Sequence, residues 1–276
     1  MNRSVVWAIA YKDIKAITSN SQIWLGFVLT PLIFCVIMPL ALILAARFAD
    51  MQPNELTAFV TNTINQLPRG DIRAKIESFP TLNHQMIFLA VNYLLGSLFL
   101  LIPCLNSMMI AANSFVGEKE RRTLESLLFA PVTVSELFVA KVLAAFLPAM
   151  AISLASFLLF GIVVTIATAD MFGQLIFPNA NWLILIFWLC PVISLLTILV
   201  NVLVSARVKG FQEAQQLGGI VVIPIIGLFV AQTTGFLVLN PLLLLLIGFV
   251  LLIVNGFLLK KITAYNSRNV LFEKQI

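Results

Sequence analysis

Charged residues are scarce in this sequence. They make up 11% of the 276 residues, whereas a soluble domain carries about a quarter, and hydrophobic residues make up 61%. This composition excludes an ordinary soluble protein. Apolar runs of about 20 residues, long enough to cross a bilayer core as helices, recur along the chain. We therefore predict an all-α integral membrane protein in which residues 1–276 form a single transmembrane domain.

Six apolar runs are long enough to span a membrane. They lie at residues 25–46, 86–112, 138–167, 182–204, 217–239 and 241–259. The first run begins too far into the chain and is too long for the apolar region of a cleaved signal peptide, so we expect a retained helix. Residues 47–85 form the longest predicted loop, with short amphipathic patterns near 56–67 and 72–79. Polar residues at 232–235 and 240 interrupt the last apolar stretch and predict a short re-entrant element.

Groups that carry catalysis or bind metals are also rare. The central parts of the six runs contain no Asp, Glu, Lys, Arg or His, which argues against a proton-coupled carrier. Cys35, Cys104 and Cys190 all fall inside predicted spans and have no metal-ligand spacing. The single histidine, His84, lies at the edge of the second span, where we expect a structural role. We therefore predict no catalytic residue, no metal site and no cofactor held by this chain.

A Gly-Lys dipeptide is missing from the whole sequence. The phosphate-binding P-loop requires that dipeptide, so this chain contains no such motif. If nucleotide hydrolysis drives the protein, another polypeptide hydrolyses the nucleotide.

The basic residues are distributed unequally between the two sides of the predicted bundle. Thirteen lie on the side of the N-terminus and four on the other side. Because basic loops are retained in the cytoplasm, both termini are predicted to be cytoplasmic. This orientation explains the net charge of +5, and the sequence contains no basic groove with stacking aromatics that would bind nucleic acid.

Residues 1–24 are predicted to form an amphipathic helix at the membrane interface. Val6, Ala10, Ile14 and Ile17 recur at helical spacing. The charged residues Lys12, Asp13 and Lys15 are expected elsewhere around the helix, and Trp7 and Tyr11 suit headgroup depth. The sequence leaves open whether this helix only anchors the chain or also relays motion.

Charge is concentrated between the second and third spans, in the stretch GEKERRTLESLLFAPVTVSEL at residues 117–137. Leucines at 124, 127 and 128 form one apolar face of a short helix that must end by Pro131. Thr133 and Glu136 then have the spacing of a capping box that begins the third span. A solvated loop would explain the charge but not the leucine face, so a docking surface is favoured.

This stretch, followed by FVAKVL, resembles the cytoplasmic loop of the ABC-2 type permeases of ABC transporters. The family pattern is approximately E-K-E-x-G-T-L-E-x-L-L-x-x-P-[VI]-x-x-x-E-[LI]-x-x-x-K. Glu136 and Lys141 continue the match beyond Pro131. Arg122 departs from the pattern, since it stands where the family usually has Gly, and it favours a more continuous helix here.

The resemblance implies an ABC-2, type V exporter-like fold with six transmembrane helices, an N-terminal interfacial helix and a coupling helix within the cytoplasmic loop 113–137. It implies that the coupling helix binds a separate ATP-binding subunit. Two copies of that subunit are expected, and they carry ATP and Mg. A second permease chain is expected to complete the complex. The expected location is the bacterial cytoplasmic membrane. The residues assigned to coupling are Glu118, Lys119, Glu120, Arg121, Arg122, Thr123, Leu124, Glu125, Leu127, Leu128 and Pro131.

We therefore expect the permease subunit of an ATP-driven exporter. The alternatives are an ATP-independent channel, a sodium-coupled carrier or a membrane scaffold that transports nothing. Polar residues within the spans are candidates for lining a pathway, although hydrogen bonding between helices is the favoured interpretation. They are Asn92, Ser97, Asn106, Ser107, Asn201 and Gln232. The substrate does not follow from these residues.

Overall fold

The protein is a bundle of α-helices. The computed structural model describes residues 2–18, 21–48, 61, 64–65, 71–117, 133–208, 210–234 and 236–265, and no strand occurs among them. The helices are α1 (Arg3–Thr18), α2 (Ser21–Pro31, continued by Leu32–Ile37 and Met38–Phe48), α3 (Asp71–Glu77), α4 (Leu82–Gly117), α5 (Val134–Phe172), α6 (Ala180–Ser205), α7 (Phe211–Thr233) and α8 (Pro241–Tyr265). Six of these described helices, α2 and α4 to α8, are long and apolar enough to cross a membrane, which confirms the predicted fold class.

The second membrane helix, α4, lies at the centre of the bundle. Within its most apolar window 94% of the residues are buried, compared with 17% for α8. It packs against α5 and α6, and α6 in turn packs against α8. The outer helices leave long rows of apolar side chains exposed, as expected for surfaces that face lipid or a second membrane chain.

Two prolines coincide with local widening of the helices. In α2 the π-helical segment Leu32–Ile37 is followed by Met38 and Pro39, and in α6 the segment Leu185–Leu189 is followed by Cys190 and Pro191. A proline has no N–H to donate, and its ring clashes with the carbonyl four residues earlier. The wider turn before each proline relieves this clash, because the preceding residue donates to a carbonyl five residues back.

The connection between α7 and α8 differs from the prediction. The fifth membrane helix begins at Phe211 and ends at Thr233, whereas the expected span was 217–239. Two backbone N–H groups, of Phe236 and Leu237, donate to the carbonyl of Ala231, so the chain turns away from the helix there. The described part of the connection, Thr234 and residues 236–240, is a turn followed by residues without regular secondary structure, and it contains no helix of the expected re-entrant element.

The described part of the predicted loop 47–85 packs on one end of the bundle. Its second amphipathic pattern forms α3, where Ile76 is fully buried. The ring of Phe79 lies 5.3 Å from that of Phe88 and 5.2 Å from that of Phe172, so the loop covers the ends of α4 and α5. Most of its first pattern, near 56–67, lies outside the described residues. We refer to the other end of the bundle, where α1 packs, as the α1 end.

Candidate functional site

All the residues that the sequence assigned to coupling lie in 118–132, outside the described residues. Their helical arrangement and their docking role therefore remain predictions. The structure does describe both ends of this loop, at Gly117 and Thr133. The contacts at these two ends form the candidate functional site.

The upstream end of the loop is a buried π-helical turn. The last segment of α4, Asn113–Gly117, buries Ser114 and Val116, and Val116 belongs to a small apolar cluster that includes Val208 and Ala214. This packing holds the last turn of α4 against the chain that joins α6 to α7. The loop consequently leaves the bundle from a packed position.

The downstream end of the loop has the predicted capping box. The backbone N–H of Glu136 donates to Thr133 Oγ1 at 3.3 Å, and the backbone N–H of Thr133 donates to Glu136 Oε2 at 3.1 Å. These reciprocal bonds satisfy two donors at the start of α5 that the helix itself leaves unpaired. Thr133 Oγ1 also donates to Glu136 Oε2 at 2.9 Å. The predicted start of the third membrane helix is thus confirmed at this capping box.

The N-terminal helix contacts the same capping box. The backbone N–H of Asn2 donates to Glu136 Oε1, while the other carboxylate oxygen of Glu136 serves Thr133. Because α1 packs along α5, this bond fixes the beginning of α1 against the downstream end of the loop.

One turn before its end, α1 also reaches the upstream end of the loop. Asp13 is buried, with 4% of its side chain exposed, and its Oδ2 accepts a hydrogen bond from Ser114 Oγ at 3.0 Å. Lys141 Nζ lies 3.8 Å from Asp13 Oδ2 and donates to the backbone carbonyl of Ser114. Lys12 Nζ, half exposed, lies 3.2 Å from Asp13 Oδ1. Three helices, α1, α4 and α5, therefore meet at one buried ion pair.

The buried charges are compensated by several partners. Removing a carboxylate and an ammonium from water costs several kcal/mol each in principle, so such a pair is tolerated only with additional hydrogen bonds. Ser114 supplies a hydroxyl to Asp13 and a carbonyl to Lys141, and the Lys141 ammonium also lies 5.5 Å from the centre of the Phe115 ring. The residues whose contacts hold the two ends of the loop are together named the loop clamp. They are Asn2, Asp13, Ser114, Thr133, Glu136 and Lys141.

Sequence reasoning placed two of these residues incorrectly or incompletely. Asp13 was expected away from the apolar face of α1, but it follows Ala10 by three residues and precedes Ile17 by four, and it is buried on the same face. Lys141 was counted with the basic loops, whereas it lies two turns into α5 and is 4% exposed. Ser114 was not identified. A carboxylate at a core-facing helical position was the available signal, since such a group requires a cationic partner.

The six pathway candidates are all buried within this chain. Asn92, Ser97 and Asn201 donate to backbone carbonyls of their own helices at 3.0, 2.8 and 2.9 Å. Asn106 Nδ2 and Ser107 Oγ have no hydrogen-bond partner among the described residues. Their assignment to a pathway remains a prediction.

One of the candidates joins two helices. Gln232 Nε2 in α7 donates to the backbone carbonyl of Tyr93 at 2.7 Å, and Trp182 Nε1 in α6 donates to the carbonyl of Val91 at 3.0 Å. Both carbonyls belong to the π-helical segment Ala90–Leu94 of α4. An adjoining cavity, lined partly by Asn92 and Asn181, has a volume of about 10 Å³, sufficient for about one water molecule. This arrangement suits hydrogen bonding between helices.

Few groups in the described part of the chain could perform acid–base or metal chemistry. No cluster of three or more His, Cys, Asp or Glu side chains occurs among these residues. The imidazole of His84 joins α4 to α5, with Nδ1 2.6 Å from Thr81 Oγ1 and Nε2 3.2 Å from the carbonyl of Met171. This geometry fits a structural contact.

Residues 7–250 match the sequence profile of a family described as ABC-2 family transporter protein. The match covers more than half of the chain, so the chain belongs to this family of membrane transporters. No curated protein and no solved structure matches the chain.

Proposed function

We propose that this member of the ABC-2 transporter family is the permease subunit of an ATP-driven exporter, coupled through the 118–132 loop to a separate ATP-binding subunit. The observation that carries the proposal is the loop clamp, which joins both ends of a charged loop to the N-terminal helix α1. Anchoring both ends to one helix would allow a movement of the loop to be passed to the bundle. The sequence contains no P-loop, which is consistent with hydrolysis on another polypeptide.

In this proposal the α1 end faces the cytoplasm of a bacterial cell. Thirteen of the seventeen Lys and Arg residues lie on the side of the N-terminus in the predicted topology, as expected for cytoplasmic loops. The loop would then face the compartment in which ATP-binding subunits work. ATP and Mg would be held by two copies of that subunit, and none by this chain.

The loop clamp suggests how force would reach the membrane. A displacement of the loop by the ATP-binding subunit would act on α4 and α5 together, since Asp13, Ser114 and Lys141 hold both helices to α1. A rigid group of helices can then rotate between two packed arrangements rather than deform gradually. Because α4 is the most buried helix, its movement would affect the packing of α6 and α7.

A second permease chain would complete the translocation unit. The described cavity beside Asn92, with a volume of about 10 Å³, is too small to be a substrate pathway by itself. A pathway between two chains is consistent with this small cavity. The extensive exposed apolar surfaces of α2, α7 and α8 are suitable for contact with lipid and with such a partner.

The experiment that tests the proposal reverses charge within the loop. We expect Glu118→Lys with Glu125→Lys to weaken co-purification with the separate ATP-binding subunit that the proposal requires, and to lower ATP hydrolysis by the reconstituted complex. The matched control is Glu77→Lys with Asp170→Lys, two exposed carboxylates at the opposite end of the bundle. Normal assembly and hydrolysis in the loop variant would contradict the proposal.

The same preparation distinguishes the alternatives. A channel or sodium-coupled carrier would support flux in vesicles that contain this chain alone. A non-transporting scaffold would leave the distribution of substrates unchanged when the P-loop lysine of the ATP-binding protein is replaced. The exporter predicts the opposite result in both measurements.

A further inference from the structure

An exposed row of basic and aromatic side chains runs along α1. Arg3, Trp7, Tyr11 and Lys15 follow one another at intervals of four residues, and all four are exposed. Residues at this spacing lie on the same side of a helix. Trp7 is 57% exposed and Tyr11 58%, which is high for such large rings. We name this row the basic–aromatic stripe.

The stripe lies beside the face of α1 that is buried in the bundle. Val6, Ala10, Asp13 and Ile17 form that buried face, and Asp13 joins it to Lys141. Because α1 is held along this face, its orientation is fixed by packing. The stripe is therefore presented to its surroundings in a defined position at the α1 end of a membrane bundle.

The composition of the stripe suits a particular ligand. Trp and Tyr rings are favoured at the depth of lipid headgroups, where one edge is apolar and the other is polar. Arg and Lys side chains bind phosphate groups, with charge-assisted hydrogen bonds. Arg3 and Lys15 lie about 18 Å apart along the helix axis, so they would contact different headgroups.

We propose that the basic–aromatic stripe binds anionic glycerophospholipids of the leaflet at the α1 end. The charges of the stripe complement those of lipid phosphates. Two cations flank two interfacial aromatic rings on a helix held at the end of six membrane-spanning helices. In the orientation proposed above this leaflet is the cytoplasmic one, which carries anionic lipid. The ligand is a phospholipid rather than free phosphate, because two aromatic rings suited to the membrane interface lie between the two cations.

Lipid binding would act on the loop clamp. The same helix presents the stripe on one side and Asp13 on another, and Asp13 bonds Ser114 next to the loop. Anionic lipid that holds α1 in place would stabilise the positions of both loop ends. Binding itself is a property of this chain alone and does not require the proposed ATP-binding subunit.

Native mass spectrometry of the purified full chain tests the proposal. The chain is equilibrated with mixed micelles of phosphatidylcholine and phosphatidylglycerol, and the ratio of retained lipids is measured. We expect Arg3→Gln with Lys15→Gln to lower the preference for phosphatidylglycerol by about 30-fold, given about 1 kcal/mol for each basic side chain at an anionic surface. The matched control is Arg73→Gln with Lys75→Gln, which removes the same charge from α3 at the opposite end of the bundle and should keep the preference.

A spectroscopic measurement reports on the stripe without changing its charge. Subtracting the fluorescence of Trp7→Phe from that of the unmodified chain isolates Trp7. In nanodiscs, bromine-labelled phosphatidylglycerol should quench this signal more than bromine-labelled phosphatidylcholine. Equal quenching by the two lipids, or equal loss of lipid preference in both charge variants, would overturn the proposal. A Trp7 signal that neither lipid quenches would likewise overturn the proposal.

Discussion

Asp13 and Lys141, more than a hundred residues apart in the chain, form an ion pair 3.8 Å long in which each side chain is only 4% exposed. The pair joins a surface helix to a membrane helix, and Ser114 joins both to the end of α4. Its burial makes it a sensitive point for mutation, because removing one partner leaves the other charge buried and only partly compensated.

Replacement of Asp13 by alanine should be strongly destabilising. The Lys141 ammonium would then be buried without its carboxylate partner, beside Ser114 and the Phe115 ring, and the expected loss is about 3–5 kcal/mol in the free energy of unfolding. Denaturant unfolding of the purified chain in detergent measures it. Asp170→Ala is the control, since the Arg47–Asp170 pair is exposed and should contribute about 0–1 kcal/mol.

The double variant Asp13→Ala with Lys141→Met should recover part of that loss. Methionine has nearly the length of lysine without its charge, and an apolar replacement of a buried pair is often neutral. A double variant as unstable as the sum of the two single variants would show that the two side chains do not interact.

The capping box at the loop should stabilise the first turn of α5. Thr133→Ala removes the acceptor for the Glu136 N–H, with an expected cost of about 1 kcal/mol. Hydrogen exchange should accelerate at the first turn of α5 and remain unchanged in α8. Thr263→Ala is the control, because that exposed hydroxyl donates to the Leu259 carbonyl within its own helix. Unchanged exchange at α5 would contradict the role of the cap.

Gln232→Leu should lower stability modestly. It removes the donor to the Tyr93 carbonyl, and hydrogen bonds between membrane helices contribute about 0.6 kcal/mol on average. Thr233→Val is the control, since its exposed hydroxyl bonds the Val230 carbonyl of the same helix. Thermal unfolding measures both variants. A Gln232 variant with unchanged stability but impaired transport would favour the pathway assignment instead.

Two glycines of α8 should respond oppositely to alanine. A Cβ at Gly248 would lie 2.1 Å from Trp188 Nε1, so Gly248→Ala must displace the indole that bonds the Leu245 carbonyl. A Cβ at Gly256 meets nothing within 4 Å, and alanine there should stabilise the helix by about 1 kcal/mol. Thermal unfolding of the two variants should therefore differ in sign. Two equal shifts would contradict the close approach of α6 and α8.

Much of the fold could be predicted from the sequence because the relevant signals are local. Long apolar runs indicated all six membrane helices, and the spacing of Thr133 and Glu136 indicated the start of α5. The end of α7 at Thr233 was not predicted, because apolar residues continue beyond it to Leu239. Hydropathy reports which residues avoid water, and it does not report where the backbone turns.

The candidate site was predictable only in part. The family resemblance drew attention to the loop and to Glu136 and Lys141, whereas Asp13 and Ser114 became visible only through their contacts. A helical pattern identifies the buried side of α1, but the partner of a buried carboxylate lies on another helix. Spacing along one helix contains no information about that partner.

By itself the sequence determined that this is a helical membrane protein with six crossings, a charged loop and no P-loop, because length, hydropathy and motifs are properties of contiguous residues. Only the tertiary structure decided that α4 is central, that the carbonyls of its π-helical segment bind Trp182 and Gln232, and that Asp13 and Lys141 meet beside the loop. The physical reason is that a buried polar group must find a partner wherever packing places one, and packing brings together residues that are distant in the chain.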